Sequence, residues 1–175
     1  MVNSVIFREK INKFNKIISV SGDKSLSIRW VLLSSLANGV SKAKNLLISE
    51  DVLAALRVIK KLGIKYEINK KECKIFGGGF DGYKYKKNLV LNAENSGTLG
   101  RLILGLLINT PYSIKLIGDK SLSKRDFGRI SGPLSKFGAK FILNKNRSLP
   151  LSILGSSKLK AIKFIEKRGS AQCKS

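Results

Sequence analysis

The sequence predicts an α/β fold built from repeated strand–helix units, and three observations lead to this prediction. An octapeptide occurs twice, as residues 22–29 (GDKSLSIR) and 118–125 (GDKSLSKR), with one position changed. A second pair of segments, 60–68 and 135–143, reads in both cases as a helix end, a glycine and a short strand. Apolar helical segments alternate with short β-prone segments between them. Together these patterns predict a repeating unit of about 70–75 residues.

The first repeat, residues 21–80, is predicted to contain two helices of different character. The helix over 25–37 is apolar on nearly every side, so we expect it to be buried except at its polar start. The second helix begins at Glu50, has apolar residues on one face and should lie at the surface, with Ser49 as its N-cap. Turn and strand signals place the remaining elements: an Asn-Gly end of the first helix at 38–39, a glycine end of the second at 63, and strands over 65–68 and 73–76.

The second repeat, residues 86–155, follows the same order. A nearly all-apolar segment over 97–108 predicts a second buried helix. Ser123 is the predicted N-cap of a surface helix that ends before Gly138. Short β-prone segments complete the repeat as strands over 88–92, 113–117, 140–143 and 149–154.

A third repeat is predicted to begin over residues 160–175. Residues 161–165 have the composition of a strand, and Gly169-Ser170-Ala171-Gln172 opens a further helix. The sequence ends at Ser175, within the first turns of this helix. We therefore expect the third repeat to be truncated.

The chain is strongly basic, since 34 Lys and Arg residues stand against 11 Asp and Glu residues, a net charge of +23. Such a charge raises nucleic acid as a partner, but the basic residues are spread along the whole chain. Aromatic residues make up only 7% and do not alternate with the basic ones as a base-stacking surface requires. The charge therefore favours acidic small molecules as partners, and a basic nucleic-acid-binding module is the alternative.

The composition also excludes several kinds of site. The sequence has no histidine and two cysteines, at 73 and 173, which excludes a Cys/His metal site and general acid–base catalysis by histidine. No segment resembles a signal peptide, and the longest apolar run is too short to cross a membrane. We therefore expect a cytoplasmic protein.

Both octapeptide copies offer donor groups that bind phosphate or carboxylate. In the first copy these are Lys24, Ser25 and Arg29, and the second copy ends in Arg125. Lysine supplies a point charge, and arginine supplies two parallel donors. The predicted buried helices start near residues 24, 96 and 170, and in equivalent repeats their N-termini gather at one end and add free N–H groups. With Arg101, these residues predict a pocket for a ligand that carries more than one negative group.

Four ordered motifs resemble those of the EPSP synthase family, the 3-phosphoshikimate (5-phosphoshikimate) 1-carboxyvinyltransferases. They are 22–29 (GDKSLSIR), 95–101 (NSGTLGR), 118–125 (GDKSLSKR) and 169–175 (GSAQCKS). The resemblance implies an enolpyruvyl-transferase-like fold of two domains, each made of strand-helix-strand-helix-strand-strand units around buried parallel helices. It further implies that residues 21–175 cover most of one domain and that residues 1–20 belong to the second, mostly absent one.

The resemblance also implies a reaction and its binding residues. The family transfers an enolpyruvyl group from phosphoenolpyruvate to the 5-hydroxyl of shikimate 3-phosphate and releases phosphate, with no metal or organic cofactor, as a monomer. Matched by motif, the catalytic Lys24 would lie between both substrates. The resemblance assigns shikimate 3-phosphate to Lys24, Ser25, Arg29, Ser170, Ala171 and Gln172, and phosphoenolpyruvate to Lys24, Gly97, Arg125 and Gln172.

The chain departs from the family pattern beside the proposed phosphoenolpyruvate-binding arginine. Asp126 follows Arg125, and we expect it either to pair with Arg129, which leaves Arg125 free, or to weaken binding. The family's acid–base residues would lie beyond Ser175, so the chain alone should be inactive. The related enolpyruvyl transferase that acts on UDP-N-acetylglucosamine is an alternative, disfavoured because the first motif reads Lys-Ser and no cysteine lies in the 120–129 loop.

Overall fold

Two β-sheets and the helices that pack on them form the fold, and each sheet lies within the range of one predicted repeat. The computed structural model of the chain describes residues 15, 17–70, 72–165 and 169–175. Within these residues, the first sheet has three strands and the second has four. The predicted α/β class is therefore confirmed. Segment 1–20, predicted to belong to a second domain, lies mostly outside the described residues.

The first sheet is antiparallel and has the strand order β1-β3-β2. Its strands are β1 (Asn38–Lys44), β2 (Lys65–Ile68) and β3 (Glu72–Gly78). β1 pairs with β3 over its full length, so that Asn38 lies opposite Gly78. The Asn-Gly pair predicted to end the first helix is thus already the start of β1, and Gly39 has the left-handed backbone (φ 98°) that favours glycine.

The first helix, α1 (Lys24–Ser35), packs against α2 (Glu50–Lys61) and β3. Ile28, Val31 and Leu32 of α1 are buried, but Leu26 and Leu33 are 68% and 64% exposed. The prediction that this helix is buried on every side is therefore wrong, because the described residues leave one apolar side of α1 uncovered.

The second helix shows the one-sided pattern that predicted it. Val52, Leu56 and Ile59 are fully buried on the inner face of α2, and Gly63 follows the helix with a left-handed backbone (φ 90°). Ser49 lies at the N-cap position with an extended backbone, but its buried hydroxyl has no hydrogen-bond partner within the described part of the chain. The prediction that the Ser49 side chain caps α2 is therefore wrong.

The second sheet has the strand order β4-β5-β7-β6. Its strands are β4 (Leu89–Asn92), β5 (Ile114–Ile117), β6 (Lys140–Leu143) and β7 (Leu151–Leu154). β4 and β5 are parallel because α3 (Gly97–Leu106) connects them, whereas the other two pairs are antiparallel. Leu99, Ile103 and Leu104 of α3 are completely buried, as its apolar sequence predicts.

The surface helix of the second repeat begins later than predicted. Arg125 has an extended backbone, and the N–H of the buried Phe127 donates to the carbonyl of Arg147 (2.8 Å). This long-range bond fixes where the helix can start, so Ser123 is not its N-cap. Ser123 lies instead in a separate turn of 3₁₀-helix, and the two elements are the turn Leu122–Lys124 and α4 (Gly128–Lys136).

The C-terminal segment differs from the prediction in its first half. Residues 161–165 form no strand, because no strand of either described sheet pairs with them and Ile165 is 72% exposed. The helix predicted at Gly169–Gln172 is present as α5 (Ala171–Lys174), with Ser170 at its N-cap position.

Candidate active site

The N-terminus of α3 brings backbone donors and two arginines together. Oγ of Ser96 accepts the N–H of Leu99 (3.3 Å) and caps the helix, whose other first N–H groups have no acceptor within it. A Cβ atom on Gly97 would lie 2.8 Å from Nη1 of Arg125 and 3.7 Å from Nη1 of Arg101. Because residue 97 is glycine, the guanidinium of Arg125 can lie this close to the N-terminus of α3, whereas Arg101 lies at an ordinary contact distance.

Arg101 is the most constrained of these cations. Its guanidinium lies 5.6 Å from the ring centroid of Phe127, and its buried Nε has no hydrogen-bond partner among the described residues. Burial lowers the pKa of Arg101, and the nearby charges of Arg129 and Arg125 lower it further. Like charges held together in this way attract anions, so this end of α3 is suited to bind a phosphate or a carboxylate.

Gln172 links the C-terminal motif to α3 through both ends of its amide. Its Oε1 accepts a hydrogen bond from Nη1 of Arg101, and its Nε2 donates to Oγ1 of Thr98 (3.3 Å). The structure therefore brings Gln172 next to the start of α3, where Gly97 lies and which Arg125 approaches. Gln172 and its partner Arg101 are 71 positions apart in the sequence.

Arg29 extends this site along α1. Its Nη1 donates to the carbonyl of Ser25 (3.3 Å), and its Nη2 donates to Oγ of Ser175 (2.9 Å). Arg29, Arg101 and Gln172 are among the residues that line a cleft of about 750 Å³. Most of its other lining residues are apolar and come from α1, α3, α4 and the C-terminal segment, among them Leu33, Leu106, Leu134 and Phe164.

Lys24, the first residue of α1, lies against α2 instead of lining this cleft. Its Nζ is 3.5 Å from Oδ2 of Asp51, and the two side chains are 52% and 25% exposed. The half-exposed ammonium group is thus accessible to solvent and is partly neutralised by a carboxylate. Among the described residues, those that line the cleft include Arg29 but not Lys24.

The remaining predicted residues lie beside these groups. Ser25 contributes its carbonyl to Arg29, and its side chain is half-buried. Ser170 and the exposed Ala171 form the start of α5, directly before Gln172, and Ser170 makes no side-chain cap to that helix. Both residues directly precede Gln172 in the chain, and the Ser170 hydroxyl, which accepts no N–H of α5, keeps its acceptor lone pairs as well as its donor for another group.

Asp126 turns away from Arg125 and pairs with a residue that the sequence did not indicate. Its Oδ1 accepts the N–H of Gly128 (2.6 Å) and lies 3.8 Å from Nε of Arg147. The expectation that Asp126 pairs with Arg129 is therefore corrected. The reason is the long-range contact between 126–128 and the loop at Arg147, which also bonds the backbone of Phe127.

Comparison with known proteins identifies the family. The family model described as EPSP synthase (3-phosphoshikimate 1-carboxyvinyltransferase) matches residues 8–175. The chain belongs to the EPSP synthase family. All four motifs that suggested the resemblance lie within the matched range.

Individual members of the EPSP synthase family resemble the chain over most of its length. The 3-phosphoshikimate 1-carboxyvinyltransferase of Streptococcus suis is 42% identical over 169 residues, or 96% of this chain. The protein of the same name from Persephonella marina is 43% identical over 167 residues, or 95% of this chain. The solved structure of EPSP synthase from Acinetobacter baumannii has a TM-score of 0.84 at 36% identity over 90% of this chain. The predicted enolpyruvyl-transferase-like fold is therefore confirmed.

The chain spans 39% and 38% of the lengths of the Streptococcus and Persephonella relatives, and 36% of the Acinetobacter chain. No helix within the described part of the chain is long and apolar enough to cross a membrane.

The sequence patterns did not indicate two aspartates of the octapeptides, Asp23 and Asp119, as residues that position the candidate active site. Oδ1 of Asp23 accepts the N–H of Leu26, and Oδ1 of Asp119 accepts the N–H of Leu122, each at 2.7 Å. The second contact is the main reason that the pKa of the Asp119 carboxyl is lowered. An aspartate three residues before an apolar residue is an N-cap signal that the sequence contains. Asp51 gives no such signal, because its partner belongs to another helix.

Proposed function

We propose that this chain forms the N-terminal part of an EPSP synthase active site, which transfers the enolpyruvyl group of phosphoenolpyruvate to the 5-hydroxyl of shikimate 3-phosphate. The observation that carries the proposal is the meeting of Gly97, Arg101 and Arg125 at the N-terminus of α3. Guanidinium groups bind phosphate and carboxylate through paired hydrogen bonds. A helix N-terminus adds N–H donors and a partial positive charge that also attract an anion. A small ligand that carries both a phosphate and a carboxylate fits this combination of two arginines and a helix N-terminus.

Phosphoenolpyruvate is proposed to bind at this helix start. Arg125 pairs with one of its anionic groups, and the N–H groups near Gly97 bind alongside. Gln172 orients the ligand through its amide, which Arg101 and Thr98 hold. Support for this assignment comes from the glycine, because a Cβ atom at residue 97 would lie 2.8 Å from Nη1 of Arg125, so the glycine lets the guanidinium lie close to the N-terminus of α3.

Shikimate 3-phosphate is proposed to bind between the starts of α1 and α5. Arg29 and Ser25 come from α1, and Ser170, Ala171 and Gln172 come from the C-terminal motif. Support comes from the hydrogen bond between Arg29 and Ser175, which joins the two segments (2.9 Å). Gln172 then lies between the two substrates.

The reaction proceeds by addition and elimination. The 5-hydroxyl oxygen gives its proton to a base and bonds to C2 of phosphoenolpyruvate as an acid protonates C3. The tetrahedral intermediate then loses a C3 proton as the bond from C2 to the phosphate oxygen breaks, which restores the double bond and releases inorganic phosphate. Lys24 is proposed to lie between both substrates and to stabilise the leaving phosphate by its charge. We propose that the 175-residue chain binds both substrates, because the residues assigned to them lie within it.

The test is a chimera that joins residues 1–175 to the remaining segment of the Streptococcus suis relative. We expect it to release phosphate from phosphoenolpyruvate only when shikimate 3-phosphate is present. Arg125→Ala should raise the KM for phosphoenolpyruvate by at least about tenfold, because a charge-assisted hydrogen bond contributes about 1.5–3 kcal/mol. The KM for shikimate 3-phosphate should change far less.

Lys140→Ala is the matched control, since this cation belongs to the same repeat and lies exposed on β6 instead of at the N-terminus of α3. It should leave both KM values close to those of the unsubstituted chimera. A chimera that folds but releases no phosphate, or equal effects of Arg125→Ala on both KM values, would contradict the proposal. Salt-sensitive binding of the chain to single-stranded nucleic acid in place of substrate would favour the nucleic-acid alternative.

We also propose that the whole protein is monomeric and cytoplasmic. The support is the family resemblance, together with the lack of a membrane-spanning helix in the described residues. Sedimentation velocity of the chimera tests the monomeric state, and a dimer would contradict it.

A further inference from the structure

Glu94 has an unusual backbone conformation for its residue type. Its φ is 53°, in the left-handed region that glycine adopts freely and that a residue with a Cβ atom adopts at a cost. Residue 94 lies between β4 and α3, three positions before Gly97. A residue held in this region needs surrounding contacts that favour it.

Arg57 supplies such a contact from α2. Its Nε lies 3.0 Å from Oε1 of Glu94, and its Nη2 lies 2.8 Å from Oε2, so the pair is bidentate. Glu50, seven residues or about two helical turns earlier on α2, adds a second carboxylate 3.6 Å from the same Nη2. The hydrogen bond to Glu94 is the main reason that the pKa of Arg57 is raised. Exposed ion pairs generally contribute little, but bidentate geometry with a second carboxylate is the arrangement that contributes most.

The backbone of Glu94 joins this ion pair to the candidate active site. Its N–H donates to Oδ1 of Asn92 (2.8 Å), and its carbonyl accepts the N–H of Asp119 (2.8 Å). Asp119 belongs to the second octapeptide, which ends in Arg125, and its other oxygen accepts a hydrogen bond from Nδ2 of Asn95. The turn at residue 94 therefore fixes both the start of α3 and the start of the segment that presents Arg125.

We infer that Arg57 and Glu94 are positioning residues: their ion pair holds the left-handed turn that places the N–H groups of α3 and the Arg125 loop for an anion. The inference rests on the proposed function where it names phosphoenolpyruvate as that anion. Neither side chain touches the ligand. The contact joins the surface helix of the first repeat to the anion site of the second, so the two repeats are coupled at this point.

Two substitutions at residue 94 separate backbone conformation from charge. Glu94→Ala and Glu94→Gly both remove the ion pair, but only glycine adopts the left-handed backbone without cost. The readouts on the 175-residue chain are the backbone amide NMR signals of Ser96, Gly97 and Thr98, and phosphoenolpyruvate affinity by titration. We expect Glu94→Ala to shift these signals and weaken affinity about tenfold, and Glu94→Gly to retain wild-type signals and affinity within about threefold.

Substitutions of Arg57 complete the test. Arg57→Ala should weaken phosphoenolpyruvate affinity as Glu94→Ala does, Arg57→Lys should restore part of it, and Arg57→Ala should have no further effect when residue 94 is glycine. Equal behaviour of the alanine and glycine variants, or an Arg57→Ala variant with unchanged signals and affinity, would overturn the inference. If the unsubstituted chain binds no phosphoenolpyruvate, the proposed function fails. The amide signals of the ligand-free variants then still decide whether residue 94 sets the helix start.

Discussion

Arg125 occupies the space into which any side chain at residue 97 would project. A Cβ atom added to Gly97 would lie 2.8 Å from Nη1 of Arg125. The clash would involve the far end of a flexible, exposed arginine and not the backbone. Relief therefore comes from movement of Arg125 and leaves the fold intact. This relationship makes Gly97 a determinant of where the guanidinium lies.

Gly97→Ala should consequently weaken phosphoenolpyruvate binding without unfolding the protein. We expect the KM for phosphoenolpyruvate of the chimera to rise about tenfold, with a change in Tm of less than about 3 °C and little change for shikimate 3-phosphate. Gly132→Ala is the matched control, because its added Cβ on α4 meets nothing within 4 Å. A variant with unchanged phosphoenolpyruvate KM would show that Arg125 does not serve this ligand.

The octapeptide illustrates how far the sequence determines the site. It predicted two anion-binding segments, and in both copies the aspartate at the second position caps the next turn. The seventh position then separates them: Ile28 is completely buried and continues into a helix, whereas Lys124 is exposed and ends a 3₁₀ turn. Burial of one apolar side chain favours helix continuation in the first copy, and the charged side chain offers no such gain.

Contacts between distant segments are the part that sequence patterns did not predict. The partners of Asp126, Glu94 and Lys24 all come from another helix or loop, so no local spacing indicates them. Helix and strand positions were predicted where periodicity and glycine signals are local, as at α2 and Gly63. The predicted strand at 161–165 failed for the same reason, because a strand depends on a neighbour that the segment does not reveal.

Asp51 is expected to moderate the charge of Lys24. Its carboxylate lies 3.5 Å from the ammonium group, so Asp51→Asn removes a negative charge with little change of shape. Both substrates of the chimera are anions, and we expect both KM values to fall by about two- to fivefold at low salt, with a smaller effect at high salt. Steady-state kinetics at two ionic strengths measure this change.

Glu67→Gln is the control for Asp51→Asn. Glu67 is an exposed carboxylate on β2 and forms no ion pair with Lys24 among the described residues. This control substitution should therefore not produce the salt-dependent fall in the two KM values. Weaker binding of both substrates in the Asp51→Asn variant would indicate instead that Asp51 is needed to orient Lys24.

Arg29 should serve the other substrate. Its two terminal nitrogens reach the carbonyl of Ser25 and the hydroxyl of Ser175, which join α1 to the C-terminal motif. We expect Arg29→Ala to raise the KM for shikimate 3-phosphate of the chimera by about 10- to 100-fold and to affect phosphoenolpyruvate much less, the opposite bias to Arg125→Ala. Arg29→Lys should recover part of the loss. An unchanged KM for shikimate 3-phosphate would remove Arg29 from the site.

Tyr83 connects the turn between the two sheets to α1. Its hydroxyl lies 2.8 Å from Oγ of Ser35, which in turn donates to the carbonyl of Leu32 (2.6 Å). Burial raises the pKa of Tyr83 to about 12, and the hydrogen bond with Ser35 offsets this only in part. The folded protein therefore holds this phenol proton to higher pH than the unfolded chain, whose tyrosine pKa is about 10.

The free energy of unfolding should consequently fall as pH rises from about 10 to about 12, because over this range the unfolded chain releases the Tyr83 proton and the folded protein retains it. The expected loss is about 2–3 kcal/mol. Tyr83→Phe should flatten this part of the pH profile, while Ser35→Ala should retain it because the phenol stays buried. Urea unfolding at pH 8, 10 and 11.5 measures the slopes. A Tyr83→Phe profile as steep as that of the unsubstituted protein would show that other groups cause the loss.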